Sequence, residues 1–297
     1  MDGILPLWKP KGWTSHDCVM KVRRLLHTKK VGHTGTLDPD VEGVLPLCIG
    51  RATKIVPFLT DTNKVYEAQV AIGVATETED ASGAVIERKE PVTLEGNDIK
   101  QMLENFKGAI TQIPPMYSAV KVNGKKLYEY AREGISVERP AREVYIHHID
   151  FIEGSEQWTE STFRFSIHVI CSKGTYIRTL CTDIGKAFGY PAHMSFLVRK
   201  QTGEIADKDC YTLDQIKNFG EQGRAEELLL PIQKGLTHLD SWDVDKETAW
   251  RIEHGQVLNE PTDTLRNPFC VTHQGEVLAI YQYHPEKPGK IKPVRVF

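Results

Sequence analysis

Two segments of the chain alternate between apolar and polar residues, and they constrain the fold more than any other feature of the sequence. Tyr66, Ala68, Val70 and Ile72 share one side of the first segment, and residues 163–169 repeat the pattern. A period of two residues is typical of a β-strand with one buried face. The predicted helices lie between such strands without a regular strand–helix–strand rhythm. This mixture favours an α+β fold with a mainly antiparallel sheet over a doubly wound fold.

Two of the helices are marked clearly by their first residues. Thr14–Asp17 has the pattern of a capping box, and an apolar stripe that includes Val19 and Val22 follows it. A second helix is predicted to begin at Thr175, after a Ser-Lys-Gly turn, and Arg178 lies off its apolar stripe. For Arg178, the sequence by itself favours a solvated charge at the helix start.

The pattern of predicted secondary structure changes near residue 235. Phe269–Val271 and Glu276–Tyr283 flank a His-Gln-Gly turn, and Val294–Phe297 is predicted as a last strand. Short strands that follow one another closely are typical of a small β-rich module. A length of 297 residues suits one large domain and one small domain. We therefore expect a first domain of residues 1–235 and a second domain of residues 236–297.

The composition is ordinary for a globular protein, with 40% hydrophobic and 26% charged residues. No run of about 18 or more apolar residues predicts a membrane-spanning helix, and the first ten residues lack the features of a signal peptide. We therefore expect a cytoplasmic protein without a membrane partner. The six cysteines include no C-x-x-C pair and no zinc-ligand spacing, so we expect reduced thiols and no metal.

The net charge of −3 argues against a nucleic-acid partner, but the charges are distributed unevenly. Residues 1–60 contain nine Lys and Arg against five Asp and Glu, and residues 171–200 contain five against one. Residues 76–104 instead contain eight acidic residues against three basic ones. Such asymmetry can give a basic face opposite an acidic face. It favours an RNA partner only slightly, because charge fluctuates along every chain.

The loop of residues 31–40, Val-Gly-His-Thr-Gly-Thr-Leu-Asp-Pro-Asp, says most about possible chemistry. Its glycines permit tight turns, and Pro39 favours an extended conformation at Asp38. A carboxylate fixed on such a loop suits a nucleophile. Asp-Pro and Thr-Gly are also common in ordinary turns, so the residues of the loop leave both interpretations open.

Six groups of motifs, in order along the chain, resemble those of the TruB family of tRNA pseudouridine synthases. Residues 32–39 resemble the catalytic loop of the family, and residues 9–15 resemble its N-terminal Lys-Pro motif. The other motifs are Gly43–Pro46 with Gly50–Lys54, Lys64–Tyr66, Pro114–Lys121 and Ser172–Thr179. The resemblance covers about residues 3–235. Residues 254–297 resemble, mostly in pattern, the PUA-like module of bacterial members.

This resemblance implies a pseudouridine synthase fold with a small C-terminal PUA-like β-barrel, and a reaction of the isomerase class. Asp38 matches the nucleophile of the family, which attacks either the ribose C1′ or the uracil C6 of a uridine. Arg178 matches an arginine that could pair with this carboxylate and orient it. Tyr66 matches the active-site tyrosine, which would stack on the base and handle a proton. The reaction needs no metal and no cofactor.

The target base must leave its stack before it can react. His33 matches the family residue that takes part in this exchange by stacking. Tyr176 and Leu197 match positions that line the uracil pocket, although Val198 stands where many relatives have a second arginine. The candidates for phosphate contacts, which position RNA without reading its sequence, are lysines: Lys9, Lys64, Lys121 and Lys173.

The resemblance implies that the target is the uridine at position 55 of tRNA, in a T stem-loop recognised by its shape and its single-stranded loop. The C-terminal module would hold the acceptor end of the tRNA, and a module that only stabilises the fold is the competing interpretation. We expect no obligate protein partner and, by default, a monomer. Two other functions stay open: a guide-RNA-dependent pseudouridine synthase of the dyskerin type, and a tRNA-folding chaperone with secondary catalysis.

Overall fold

The computed structural model describes residues 1–91, 93–159 and 161–297 of the chain. These residues form two compact units, of which one comprises residues 1–62 with 202–297 and the other residues 63–201. The first unit is discontinuous in sequence, because the second is inserted between its two parts. The expected boundary near residue 235 lies inside the first unit, and the division into residues 1–235 and 236–297 stays a prediction.

The secondary structure mixes strands with short helices. The strands are β1 (Gly3–Lys9), β2 (Val31–His33), β3 (Glu42–Ile49), β4 (Lys64–Ile72), β5 (Val74–Thr76), β6 (Val85–Arg88), β7 (Gly108–Gln112), β8 (Lys121–Val122), β9 (Lys125–Lys126), β10 (Arg142–Phe151), β11 (Gln157–Trp158), β12 (Phe163–Cys171), β13 (Ala192–Thr202), β14 (Ile205–Ala206), β15 (Ser241–Asp243), β16 (Leu258–Asn259), β17 (Phe269–His273), β18 (Glu276–Tyr283) and β19 (Lys290–Val296). The helices are α1 (Ser15–Leu25), α2 (Val56–Thr60), α3 (Gly96–Glu104), α4 (Leu127–Arg132), α5 (Ile177–Ala187), α6 (Leu213–Glu221) and α7 (Lys246–Glu253).

In the first unit, β1 pairs antiparallel along its whole length with β3, and β2 pairs antiparallel with the last residues of β3. The predicted capping box at the start of α1 is confirmed, since Thr14 and Asp17 exchange hydrogen bonds between side chain and backbone. The stripe of α1 that includes Val19 and Val22 is buried against β1 and against Ile216 of α6. These contacts give the N-terminal motifs a rigid support.

The C-terminal part of the first unit contains a five-stranded sheet in the order β15-β17-β18-β19-β16. Its hairpin between β17 and β18 turns at Gln274 and Gly275, both with positive φ, which is the conformation that suits a two-residue hairpin loop. Phe269, Tyr281 and Ile291 form its core together with α7. The predicted β-rich module is confirmed, and its sheet is consistent with a PUA-like fold.

The second unit is built on a sheet in the order β13-β4-β12-β10-β7. The two alternating segments of the sequence are its strands β4 and β12, which pair antiparallel with Tyr66 opposite Val169. Their apolar side chains are buried, and α5 packs against β4 while α3 packs against β10. The prediction of an α+β fold with a mainly antiparallel sheet is confirmed. No helix of the described residues is long and apolar enough to cross a membrane.

Gly185 sets how closely α5 can approach the start of β13. A Cβ at this buried position would overlap the side chain of Ala192 and lie 3.0 Å from the carbonyl oxygen of Tyr190. We expect Gly185→Ala to lower the free energy of unfolding by roughly 1–3 kcal/mol, although alanine favours helices, because the packed contact cannot accept the methyl group. Thermal unfolding checks this, with Lys186→Ala at the exposed neighbouring position as the control. Equal or higher stability of Gly185→Ala would contradict the expectation.

Candidate active site

The loop that carries Asp38 begins where β2 leaves its partner strand. His33 is the last residue of β2 and lies opposite Leu47 of β3. Thr34 follows, fully buried, and donates from both its amide and its hydroxyl to the carbonyl of Pro46, at 3.2 and 3.1 Å. Gly35 then adopts φ 111, a conformation that side chains disfavour. These residues fix the direction in which the chain leaves the sheet toward Asp38.

The backbone is held on both sides of Asp38. The hydroxyl of Ser15, which is 1% exposed, accepts a hydrogen bond from the amide of Leu37 at 2.9 Å. On the other side, the amide of Gly12 donates to the carbonyl of Pro39 at 2.8 Å. The carbonyl of Asp38 itself accepts from the amide of Val41 at 3.1 Å. The half-buried side chain of Asp38 therefore projects from a backbone with little freedom to move.

Lys9 lies inside the protein beneath this loop. Its side chain is 0% exposed, and its ammonium group donates to the carbonyls of Pro10, Trp13 and Pro39, the last at 3.1 Å. A buried ammonium group needs such acceptors, because desolvation penalises the charge. The burial of Lys9 favours an internal structural role over the phosphate contact that the sequence predicts, and that contact stays a prediction.

The other three lysines differ in exposure. Lys64 is 6% exposed at the start of β4, opposite Cys171. Lys121 in β8 and Lys173 in the turn after β12 are exposed. Lys121 and Lys173 alone among the four lysines have the exposure that a direct phosphate contact requires.

Arg178 lies in the first turn of α5 and is buried, with 7% of its side chain exposed. Its guanidinium group donates to the carbonyl of Thr78 and to the carbonyl of Tyr117, both at 3.0 Å. The interpretation of Arg178 as a solvated charge, which its place off the apolar stripe favours, is therefore wrong. The acceptors come from segments 100 and 61 residues away, so local sequence could not indicate them.

Asp80 is the acidic partner of Arg178 within the second unit. One carboxylate oxygen, Oδ1, accepts hydrogen bonds from the hydroxyl of Thr78 at 2.7 Å and from the amide and hydroxyl of Ser82 at 3.0 and 2.6 Å. The other, Oδ2, lies 3.7 Å from Nη1 of Arg178. The turn thus aims Asp80 at the guanidinium group. Residues 78–83, within the acidic segment 76–104, have the order Thr-x-Asp-x-Ser-Gly, which is typical of such a turn.

Tyr66 and Tyr176 lie on adjoining elements of the second unit. Tyr66 is 9% exposed, on the buried side of β4, the strand against which α5 packs. Tyr176 precedes the first residue of α5, and its backbone amide and carbonyl both bond to the amide group of Gln112, at 3.0 and 3.2 Å. Gln112 is 1% exposed and was missed from the sequence. It supplies the cap that no side chain of the helix start provides.

Leu197 lies in β13, the neighbour of β4 in the sheet of the second unit. Two residues earlier, the hydroxyl of Ser195 donates to the side-chain oxygen of Gln69 in β4 at 2.7 Å. Leu197 is half-buried, whereas the following residues Val198 and Arg199 are buried, Arg199 to 1% exposure. The second unit thus brings four predicted site residues onto neighbouring elements: Tyr66, Tyr176, Arg178 and Leu197. Asp38, His33 and Lys9 belong to the first unit.

The described part of the chain contains no group of three or more His, Cys, Asp or Glu side chains that could hold a metal ion. The chemistry available to the described site residues is that of a carboxylate, a guanidinium group and a phenol. Such groups suit nucleophilic attack, charge stabilisation and proton transfer.

Two family models match consecutive parts of the chain. A model described as the N-terminal domain of TruB family pseudouridylate synthase matches residues 23–177. A model described as the tRNA pseudouridylate synthase B C-terminal domain matches residues 178–237.

Curated relatives and solved structures are similar along the whole chain. A tRNA pseudouridine synthase B of Oceanobacillus iheyensis is 57% identical over 100% of this chain and 98% of its own length. The protein of that name from Bacillus subtilis is 49% identical, covering 100% and 97%. A chain in a Cbf5-Nop10-Gar1 complex superposes with a TM-score of 0.74 at 26% identity, covering 99% of this chain and 84% of that one.

The superposition shows the pseudouridine synthase fold. The loop of residues 31–40 and Arg178 both lie within the matched family domains. The identity of about half over the full length is far above what a shared fold alone would give. The chain therefore belongs to the TruB family of pseudouridylate synthases.

Proposed function

We propose that this enzyme converts the uridine at position 55, in the T-loop of tRNA, to pseudouridine, with Asp38 as the nucleophile. The observation that carries the proposal is the Asp38 loop, whose backbone is held by Ser15, Gly12 and Lys9 on both sides of the carboxylate. Such anchoring supplies the preorganisation that a nucleophile requires. The names of the relatives, tRNA pseudouridine synthase B, support tRNA as the substrate.

The chemistry conserves every atom of the uridine except one exchangeable hydrogen. The glycosidic bond between N1 and C1′ breaks, the uracil turns, and a bond forms between C5 and C1′. The hydrogen on C5 leaves as a proton, and N1 gains one. Asp38 forms the transient covalent bond, either to C1′ of the ribose or to C6 of the uracil.

Arg178 and Tyr66 support this chemistry. Arg178 has the role that the family resemblance implies, a cation that keeps the nucleophilic carboxylate ionised and oriented. Tyr66 stacks on the target base and takes the proton that must leave. The burial of both side chains supports these roles, because a buried polar group is oriented by its partners rather than by water.

The target uridine reaches the site by flipping out of the T-loop. His33 takes part in the exchange by stacking in the RNA, and Tyr176 and Leu197 hold the flipped base. Stacking on an aromatic side chain is worth roughly 1–3 kcal/mol for each base, which offsets much of the cost of unstacking. The exposed Lys121 and Lys173 contact phosphates and set the position of the RNA.

The C-terminal module contributes a second contact, to the acceptor end of the tRNA. On α7 the ring of Trp250 is 57% exposed and lies 4.2 Å, centroid to centroid, from the ring of His254. Arg251, between them in sequence, is also exposed. An exposed indole beside an imidazole ring and a guanidinium group is suited to nucleic acid without a fixed sequence. The enzyme acts in the cytoplasm as a monomer without an obligate protein partner.

Two relationships separate this proposal from a guide-dependent enzyme. The proteins called Cbf5 are solved in complexes with Nop10 and Gar1, and the similarity of this chain to one of them is 26% identity. Its identity to two proteins called tRNA pseudouridine synthase B is 57% and 49%. A chaperone role can coexist with catalysis and is separated by the Asp38 variant below.

The first prediction from the proposed function concerns the nucleophile. Wild-type enzyme, without guide RNA or partner protein, is expected to release tritium from a tRNA transcript that carries C5-tritiated uridine. Asp38→Asn is expected to release none, because an amide is a poor nucleophile, while it still binds the tRNA. The matched control is Asp40→Asn, which changes an exposed carboxylate of the same loop and is expected to leave the rate unchanged.

Release by Asp38→Asn at the wild-type rate would contradict the role of Asp38. No release by any protein, with tRNA binding intact, would reject the reaction on bare tRNA and favour the guide-dependent or chaperone function. Rescue of the fitness of a deletion strain by Asp38→Asn would show that the chaperone activity matters independently of catalysis.

The second prediction concerns Lys9. We expect Lys9→Met to destabilise the enzyme, since the part-buried carbonyls of Pro10 and Trp13 lose a donor, at roughly 1–3 kcal/mol for each polar group left unsatisfied. The Pro39 carbonyl keeps the amide of Gly12, but the loss of Lys9 should loosen the Asp38 loop and slow the reaction. The salt dependence of tRNA binding should not change, because Lys9 is buried. Lys11→Met, at an exposed position of the same motif, is the control. A salt slope that falls by about one phosphate contact in Lys9→Met would instead support the phosphate contact.

The third prediction concerns the C-terminal module. Trp250→Ala is expected to weaken the binding of whole tRNA by about tenfold, the loss of one stacked base, and to leave the binding of an isolated T stem-loop unchanged. Filter binding with both RNAs measures the difference. Trp158→Ala, which removes another exposed indole from the second unit, is the control and should affect neither RNA. Equal affinity of Trp250→Ala and wild type for whole tRNA would leave the module a purely structural role.

A further inference from the structure

The turn of residues 76–80 has an unusual conformation at Glu79. This residue has φ 64, in the left-handed region that residues other than glycine rarely adopt. Its amide donates to the carbonyl of Thr76 at 3.2 Å, and its carbonyl accepts from the amide of Met194 in β13 at 3.0 Å. Left-handed residues of this kind persist where surrounding contacts fix them, and they concentrate at functional sites.

The carboxylate of the half-buried Glu79 reaches the start of α5. It accepts a hydrogen bond from the hydroxyl of Thr179 at 2.7 Å, and Thr179 is 5% exposed. Helix α5 has no acidic residue of its own in its first turn. Glu79, which lies 100 residues before Thr179 in the chain, therefore places a negative charge near the positive end of the helix dipole.

Burial works against this charge and raises the pKa of the Glu79 carboxyl above its ordinary value. The hydrogen bond from Thr179 and the cations Arg178 and Lys186 of α5 and Arg139 oppose that shift. Burial and, after it, the charge of Glu79 raise the pKa of the Cys181 thiol. Burial lowers the pKa of His193, and Asp80 of the same turn opposes that shift.

The neighbours of Glu79 on both sides bind the same guanidinium group. The carbonyl of Thr78 accepts from Nη1 of Arg178 at 3.0 Å, and the carboxylate of Asp80 lies 3.7 Å from the same nitrogen. Glu79 holds Thr179, the residue that follows Arg178 in α5. Three consecutive residues of the turn thus engage two consecutive residues of the helix.

We propose that Glu79 is a positioning residue for the reaction: its bond to Thr179 locks the turn of residues 78–80 onto α5 and so fixes Arg178. The inference rests on the proposed function, in which Arg178 orients the nucleophile. Without the bond between Glu79 and Thr179, the left-handed turn relaxes, and the acceptors of Arg178 move with it. A displacement of about 1 Å at a site that must be preorganised can slow a reaction by about a hundredfold.

The experiment compares four single variants and one double variant. Glu79→Ala and Thr179→Val each remove one end of the hydrogen bond, whereas Glu79→Gln and Thr179→Ser keep an acceptor and a donor. The double variant combines Glu79→Ala with Thr179→Val. Glu87→Gln, at an exposed carboxylate of β6, is the control. Single-turnover tritium release from C5-tritiated tRNA gives the rate of the chemical step, filter binding gives the affinity for tRNA, and thermal unfolding reports stability.

We expect Glu79→Ala and Thr179→Val each to slow the single-turnover rate by about ten- to a hundredfold, with tRNA affinity within about twofold of wild type. Glu79→Gln and Thr179→Ser should stay within about threefold of the wild-type rate, because they keep the hydrogen bond. The double variant should be no slower than the slower single variant, since both changes break one interaction. A residue with only a structural role would not give this rescue and this separation of rate from affinity.

The pH dependence of stability is an independent test of the raised pKa of the Glu79 carboxyl. Since the pKa of Glu79 in the folded state lies above its unfolded value of about 4.5, the folded chain binds this proton more tightly. The wild type therefore loses stability as pH rises through the interval above 4.5. The thermal midpoint of Glu79→Gln relative to wild type should be higher at about pH 7 than at about pH 4.5.

Different failures have different meanings. If wild type releases no tritium, the proposed function fails, and the variants say nothing further against it. If wild type is active but Glu79→Ala reacts at the wild-type rate, only the positioning role of Glu79 is overturned. Losses of Glu79→Ala and Thr179→Val that add in the double variant would overturn it too, as would a loss of tRNA affinity that matches the loss of rate.

Discussion

Buried cationic groups held by backbone carbonyls stabilise the functional parts of both units. In the first unit, the ammonium group of Lys9 donates to three carbonyls and supports the loop that carries Asp38. In the second, the guanidinium group of Arg178 donates to the carbonyls of Thr78 and Tyr117. Each cation would be costly to bury alone. Because each also ties distant segments together, the positions of the loops depend on these bonds.

Carboxylates complete this arrangement in the second unit. Asp80 is oriented by three hydrogen bonds to one of its oxygens, which leaves the other facing Arg178. Glu79 binds the next residue of the helix, Thr179. A site for nucleophilic chemistry needs groups that are already oriented before the substrate arrives. The family to which the chain belongs carries out a rearrangement within one nucleotide, so its site residues must be positioned against that nucleotide.

Local patterns in the sequence predicted the elements well. The alternation from Tyr66 onward gave strand β4, and the capping box at Thr14 gave the start of α1. The motif resemblance predicted the family that the comparisons then showed. The roles of the individual site residues stay predictions, because no measurement on this chain tests them. The burial of Lys9 and Arg178 was not foreseen, since a lysine or arginine beside polar residues is usually exposed.

By itself, the sequence determined the strand and helix periods, the turns at glycine and proline, and the order of the motifs. These are short-range properties, set by residues within a few positions of one another. Tertiary structure alone decided which charges are buried and which acceptors they meet. The acceptors of Arg178 lie 100 and 61 residues away in the chain, and the acceptor of Thr179 is also 100 residues away. Contacts at such separations leave no periodic signal in one sequence, so only the folded chain could reveal the hydrogen bond between Glu79 and Thr179.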